Sequence, residues 1–352
     1  MLIDIYIYIY GAGGYGRNLL KSLLGMNLKI AGFIDKSRSD DIEGYRCIRL
    51  NDPECKNYIN NEDVVILIGI HNRDIDPYQI KSELNELGFC NVYTPIEYYN
   101  DLPDGVENPY WLAKSDFYLE NIDNIKYVYE RIENKEVLID ILEYRLGYTN
   151  ILKYAKSYPQ YRPDPILENM VFSNFVDAGA YNGDTIKDFI FAGINITNYY
   201  AFEPDLKNYT ELAVSVQAYN FKKYLFPAGL SDINGQLNFL SHGEAGMCVL
   251  KENIGETYET VSVIKLDDSL QGDVAIDFIK IDIEGLENSA ILGARIIIQT
   301  QKPVLAICVY HKPDDMWTIL QSIEDIASGV YRYYLYQHEL NTFEVVLYAI
   351  PR

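Results

Sequence analysis

Hydrophobic and polar positions alternate with a period of two over residues 3–10, where Ile interleaves with Asp and Tyr, and this predicts a strand. The stretch Gly11-Ala12-Gly13-Gly14-Tyr15-Gly16 follows at once. A helical pattern then carries Leu19, Leu20, Leu23 and Leu24 and stops at Gly25. Lys29 to Ile34 reads as a second strand ending in Asp35, and Val64 to Gly69 as a third, buried one. Asp76 to Leu87 reads as a helix closed by Gly88. Strands alternating with helices imply a parallel sheet wound right-handedly. This first Rossmann-like unit, of about four strands, is assigned residues 1–105, ending at the turn-rich Tyr99-Asn100-Asp101-Leu102-Pro103-Asp104-Gly105.

Residues 106–170 form a connector in which Ile122, Ile125, Val128, Ile132, Leu138, Ile141 and Leu142 recur at helical spacing. Tyr158-Pro159 and Arg162-Pro163-Asp164-Pro165 end its helices, because the residue before each proline is pushed out of the α region. A second alternating unit occupies residues 171–352. Its strands are expected at Phe175–Asp177, Tyr199–Phe202, Lys222–Phe226, Ile276–Ile281 and Val304–Tyr310. Tyr331–Tyr336 and Glu344–Ile350 follow, joined by a connection short enough to permit only an antiparallel hairpin. The whole is an α/β protein of two Rossmann-like units, the second a seven-stranded sheet with a terminal antiparallel hairpin.

Composition narrows the partners. The 352 residues carry 30 Lys and Arg against 51 Asp and Glu, a formal charge of −21. No Lys/Arg cluster exceeds a pair, which argues against nucleic acid and against anionic membrane surfaces. The longest apolar run, Met1 to Tyr10, is too short to span a bilayer, and with Asp4 and no basic segment it does not read as a signal peptide. Five cysteines (47, 55, 90, 248 and 308) form no CxxC pair and read as reduced thiols, so a cytoplasmic location is expected.

Four segments carry candidate chemistry. In Phe175-Val176-Asp177-Ala178-Gly179-Ala180-Tyr181-Asn182-Gly183-Asp184-Thr185, an apolar strand runs into a glycine-bearing turn and a helix start, with Asp184 or Thr185 available as N-cap. Such a turn lets backbone approach a ligand at the C-terminal edge of a sheet. The Asp177 carboxylate would repel a pyrophosphate and suit a ligand presenting an ammonium and a sulfonium. Twenty positions after Gly183 stands Glu203, in Phe202-Glu203-Pro204-Asp205. Its two readings are an acceptor for both hydroxyls of a ribose and a surface turn acid capped by Pro204. Alternation along Asp277–Ile281 delivers Asp282 and Glu284 to the strand's end, and the next strand delivers His311. These three converge either as a proton-accepting group beside an acceptor, His311 first and Asp282 second, or as hard ligands of a divalent metal.

Together these segments resemble the FkbM family of S-adenosylmethionine-dependent methyltransferases, through the D-x-G-A-x-x-G-x-T turn, the F-E-P and the K-I-D-x-E-G-x-E strand end. The resemblance covers roughly residues 171–352. It implies a class I methyltransferase sheet and S-adenosylmethionine as cofactor, with methyl transfer to a hydroxyl of a sugar, glycan or secondary metabolite. By the same carry-over Asp177, Gly179 and Gly183 hold the methionine end, Glu203 the ribose and Asp232 the adenine, with Tyr181, Thr185 and Asp282 also assigned to cofactor binding. Leu286 stands where the family more often has alanine.

Gly11, Gly13 and Gly16 fit G-x-G-x-x-G between a strand and a helix, with Asp35 nineteen residues beyond Gly16. This segment resembles small front domains of bacterial sugar-modifying enzymes, which bind a nucleotide-sugar or serve as a platform. It leaves open an NAD(P)- or nucleotide-sugar-dependent enzyme working from the front unit. A non-catalytic scaffold with a degenerate cofactor fold, and a homo-oligomer, are also compatible with the sequence.

Overall fold

A computed structural model describes residues 5–26, 28–103, 110–167, 172–242, 245–248, 258–270 and 274–352. The chain divides into two compact units. One holds residues 1–122, 139–156 and 339–343; the other holds 123–138, 157–338 and 344–352. The stretch expected as a separate connector is thus shared out between the two units. Its helices include Ser115–Glu120, Ile122–Arg131 and Lys135–Arg145.

The first unit is a five-stranded parallel sheet, ordered β3-β2-β1-β4-β5 from β1 (Tyr6–Tyr10), β2 (Ile30–Asp35), β3 (Cys47–Arg49), β4 (Val64–Ile68) and β5 (Asn91–Tyr93). The sequence suggested about four strands; β3 and β5, at three residues each, are too short to display a period. Tyr10, Ile34, Ile66 and Ile68 are buried in the core beside Ile80 and Leu84 of the helix Pro77–Glu86. Ile3 and Asp4 of the expected first strand, and Asp104 and Gly105 of the expected boundary, lie outside the described residues.

The second unit is built on a seven-stranded sheet. Its strands are β6 (Asn174–Ala178), β7 (Asn198–Phe202), β8 (Lys222–Phe226), β13 (Phe278–Ile281), β14 (Val304–Cys308), β15 (Tyr331–Gln337) and β16 (Val345–Pro351). The order is β15-β16-β14-β13-β6-β7-β8, and β16 runs antiparallel to both neighbours, as the terminal hairpin required. Phenyl rings of Phe175, Phe189 and Phe278 pack within 6.0 Å of one another at the sheet's centre. Burying each such ring stabilises the fold by roughly 1.5–3 kcal/mol.

Between β8 and β13 lies a four-stranded sheet the sequence reading lacked, ordered β11-β10-β12-β9. It comprises β9 (Gly229–Leu230), β10 (Gly235–His242), β11 (Ala245–Cys248) and β12 (Tyr258–Ile264). The helix after β6 begins at Asp184 behind an N-cap Gly183 in the left-handed region (φ 82°), so neither Asp184 nor Thr185 caps it. Among the described residues no helix is long and apolar enough to cross a membrane. Cys47, Cys55 and Cys308 are buried free thiols and Cys90 is an exposed one.

Candidate functional site

The C-terminal ends of the parallel strands β6, β7, β13 and β14 bring Asp177, Gly179, Glu203, Asp282, Glu284 and His311 to one sheet edge, whereas Asp232 follows β9 of the smaller sheet. Asp177 is paired in register with Lys280 on the neighbouring strand. Both side chains are buried, their charges 3.2 Å apart, and Tyr199 donates its hydroxyl to Asp177 at 2.8 Å. Lys280 also donates to the Gly179 carbonyl at 2.6 Å. Asp177, expected to meet a ligand's ammonium, is thus fully buried with a lysine and a tyrosine against its carboxylate. Gly179 has φ 75°, and a Cβ there would fall 1.8 Å from the Asp282 carbonyl oxygen. Glycine is required for this close approach.

Glu203 follows β7 directly and is 6% exposed. Its carboxylate accepts the N–H of Tyr181 at 2.8 Å and that of Asp205 at 2.9 Å, which ties the first glycine turn to the second strand end. Burial raises its pKa above the usual carboxylate value despite these bonds. A carboxylate offers about four acceptor positions, so Glu203 keeps capacity for two ligand hydroxyls. Tyr181 is itself in the left-handed region (φ 47°) with its ring partly exposed. Thr185 is buried, its N–H donated to Asp184 at 2.7 Å. Asp232 is exposed and accepts the Ser231 hydroxyl at 3.1 Å.

The ends of β13 and β14 hold a denser cluster. His311 Nε2 lies 3.5 Å from Asp282 Oδ1 and 3.6 Å from Glu284 Oε2, so the three residues named from sequence do converge. A fourth acid, missed from sequence, sits closer: Glu287 Oε1 is 2.9 Å from His311 Nδ1. Asp282 also accepts the Tyr161 hydroxyl at 2.8 Å. Burial alone would favour neutral forms, but the carboxylates of Glu287, Glu284 and Asp282 hold the His311 pKa well above its ordinary value. Lys280 and His311 likewise outweigh burial at Asp282 and hold its carboxyl low. Burial, aided by Asp282 and Glu287 and opposed by His311, pushes Glu284 up to about 7. Glu284 also has φ 54°, an uncommon conformation for a glutamate.

The raised pKa of His311, first among the expected bases, favours the imidazolium, whose ring nitrogens have no lone pair to accept a proton. The expected metal set of Asp282, Glu284 and His311 is not among the groups whose donor atoms lie close together. The donor atoms found within 4.8 Å of one another belong to Asp282, Glu287 and His311, or to Asp282, Cys308 and Glu344. The Glu287 oxygen facing His311 already accepts two backbone N–H groups, from Ile283 at 2.9 Å and Gly285 at 3.2 Å, so the set is a hydrogen-bonded ion cluster.

In the first unit, Gly11 has φ 102°, and a Cβ on Gly16 would lie 2.1 Å from the Gly11 carbonyl oxygen. Gly13 has nothing within 4 Å of such a Cβ. Asp35 ends β2 and is half-buried. Its oxygens accept Ala12 N–H at 3.0 Å, Ser37 N–H at 2.9 Å and Arg38 N–H at 3.1 Å. The glycine loop is thereby fastened to the end of β2.

Sheet order and the carboxylate-lined edge define the second unit as a Rossmann-like fold of the class I methyltransferase type. Residues 177–336 match the methyltransferase FkbM domain, and residues 6–75 match the PglD N-terminal domain. The first match falls within the second unit and the second match within the first unit. The crystal structure of methyltransferase FkbM from Methylobacillus flagellatus KT is similar to it with a TM-score of 0.79 at 20% identity, over 98% of this chain and 90% of that one. A putative rRNA-methylase from Clostridium thermocellum has a TM-score of 0.35 at 10% identity, over 53% of this chain and 90% of that one. No curated protein matches the chain.

Proposed function

We propose that the second unit transfers a methyl group from S-adenosylmethionine to a hydroxyl of a small molecule, with a sugar, glycan or secondary metabolite as acceptor. The observation that carries this reading is Glu203: a buried carboxylate with spare acceptor capacity, bonded to the backbone of the Gly179–Gly183 turn at the carboxyl edge of the sheet. Glu203 takes the ribose hydroxyls. Gly179, Tyr181, Gly183 and Thr185 shape the turn that meets the methionine end, with Asp177 acting through Lys280. Asp232 stands on the adenine side and Asp282 beside the reacting centre.

S-adenosylmethionine supplies an electrophilic methyl carried on a cationic sulfur. The chain aligns the acceptor, excludes water and takes up a proton. An alcohol is a weak nucleophile while protonated, so a base near its oxygen helps. Glu284 suits that task, being partly exposed at the edge with a carboxyl poised near 7. This supports transfer to oxygen.

Calorimetric titration with S-adenosylhomocysteine, with NADP⁺ as the parallel control, tests the reading. Micromolar binding, about −8 kcal/mol, is expected for S-adenosylhomocysteine. Binding of NADP⁺ alone would move the chemistry to the front unit, and silence from both would favour a scaffold.

A further inference from the structure

Glu287 is fully buried, yet methyl transfer as derived above gives it no part. One oxygen lies 2.9 Å from His311 Nδ1 and accepts the N–H groups of Ile283 and Gly285. From the other side, Lys312 donates its ammonium to the Gly285 carbonyl. The turn carrying Glu284 is therefore clamped at its N–H groups by Glu287 and at its carbonyl by Lys312. That clamp explains how Glu284 persists at φ 54°, a conformation that residues other than glycine adopt only where their surroundings hold them.

We propose that Glu287 is a positioning residue, which fixes His311 as a doubly protonated imidazolium and holds the Ile283–Gly285 turn so that Glu284 faces the acceptor as proton acceptor. The part played by Glu284 rests on the methyl-transfer reading; the state of His311 does not. The acids facing His311 are Glu287, Glu284 and Asp282, with Asp315 acting from the following helix. The neighbouring cation, Lys312, turns its ammonium to the turn carbonyl. With both ring nitrogens carrying protons, Nδ1–H faces Glu287 Oε1 at 2.9 Å and Nε2–H faces Asp282 and Glu284. A neutral ring would leave three carboxylates crowded around a group without charge, which low local polarity penalises. Charge on His311 in turn assigns proton uptake to a carboxylate.

The test is ring-nitrogen NMR of the full chain with ¹⁵N-labelled histidine, the His311 signal being assigned from His311→Asn. His71, His242 and His338 complete the set of four histidines. In the wild type, His311 is expected to remain doubly protonated from about pH 6 to about pH 8, where an ordinary histidine loses its proton. In Glu287→Gln its titration should move down by at least about one unit, roughly a tenfold change in proton affinity. A neutral His311 ring at pH 7 in the wild type overturns the proposal, even if the variant does not fold. An unchanged titration in a folded Glu287→Gln overturns it as well. Absence of S-adenosylhomocysteine binding by the wild type would count against the methyl-transfer reading alone, because the ring spectrum is recorded without cofactor.

Discussion

Lys280 and Asp177 face each other across β13 and β6, their charges 3.2 Å apart and their side chains 3% and 0% exposed. The same ammonium holds the Gly179 carbonyl, so one buried cation ties two strands to the turn that begins the candidate cofactor site. Burial would drive the lysine towards its neutral form, but the carboxylates of Asp177 and Asp282 outweigh it and keep the ammonium charged.

Replacing Lys280 by Met should therefore lower the unfolding free energy by about 3–5 kcal/mol, because Asp177 would be left buried and unpaired. Urea unfolding measures this. A loss below about 1 kcal/mol would show that the pair does not hold the strands together.

Glu203→Gln keeps the shape of the strand end but removes its charge. Affinity for S-adenosylhomocysteine should fall by about 10–100-fold, the worth of hydrogen bonds to a charged acceptor. Calorimetry on the folded variant is decisive, and unchanged affinity would remove the ribose assignment.

Two glycines of the front loop should behave differently. A Cβ on Gly16 would strike the Gly11 carbonyl, whereas one on Gly13 meets nothing and its φ of −78° suits any residue. Gly16→Ala should lower the thermal midpoint by several degrees, and Gly13→Ala should leave stability within about 0.5 kcal/mol. Equal losses at both positions would contradict the close strand–helix contact.

Glu284 makes stability depend on pH with a sign opposite to an ordinary salt-bridged acid. Its folded pKa of about 7 lies above its unfolded value, so its favourable contribution is complete below about pH 4.5 and is lost as pH rises through 7. Allowing for its exposed third, the wild type should lose about 1–2 kcal/mol relative to Glu284→Gln across that window. Urea midpoints of both proteins over the range give the difference. A difference that grows in favour of the wild type at high pH would place the carboxyl below its ordinary value. Once an acceptor is in hand, Glu284→Gln should also lower turnover with little change in cofactor affinity.

Much of the fold is legible in the chain because a buried parallel strand must be apolar and its crossover helix periodic. Val176, Tyr199, Ile279 and Leu305 mark their strands without help from any partner. The glycine turns are equally visible, since Gly16 and Gly179 stand where no side chain fits. The small sheet around β10 was not foreseen, because two of its strands are too short for a period to register. Alternation also placed Asp282 and Glu284 at the end of β13, and the next strand brought His311 within 3.6 Å of them.

What the sequence alone determined is the longer strands with their glycine turns, and the placing of Asp177, Glu203, Asp282, Glu284 and His311 at strand ends, because both follow from local pattern. Tertiary structure decided what those groups are. Only when β13 lies against β6 does Lys280 answer Asp177, and only when the turn after β13 folds back does Glu287 reach His311. Protonation depends on distance and burial, which residues far apart in the chain acquire only by packing together.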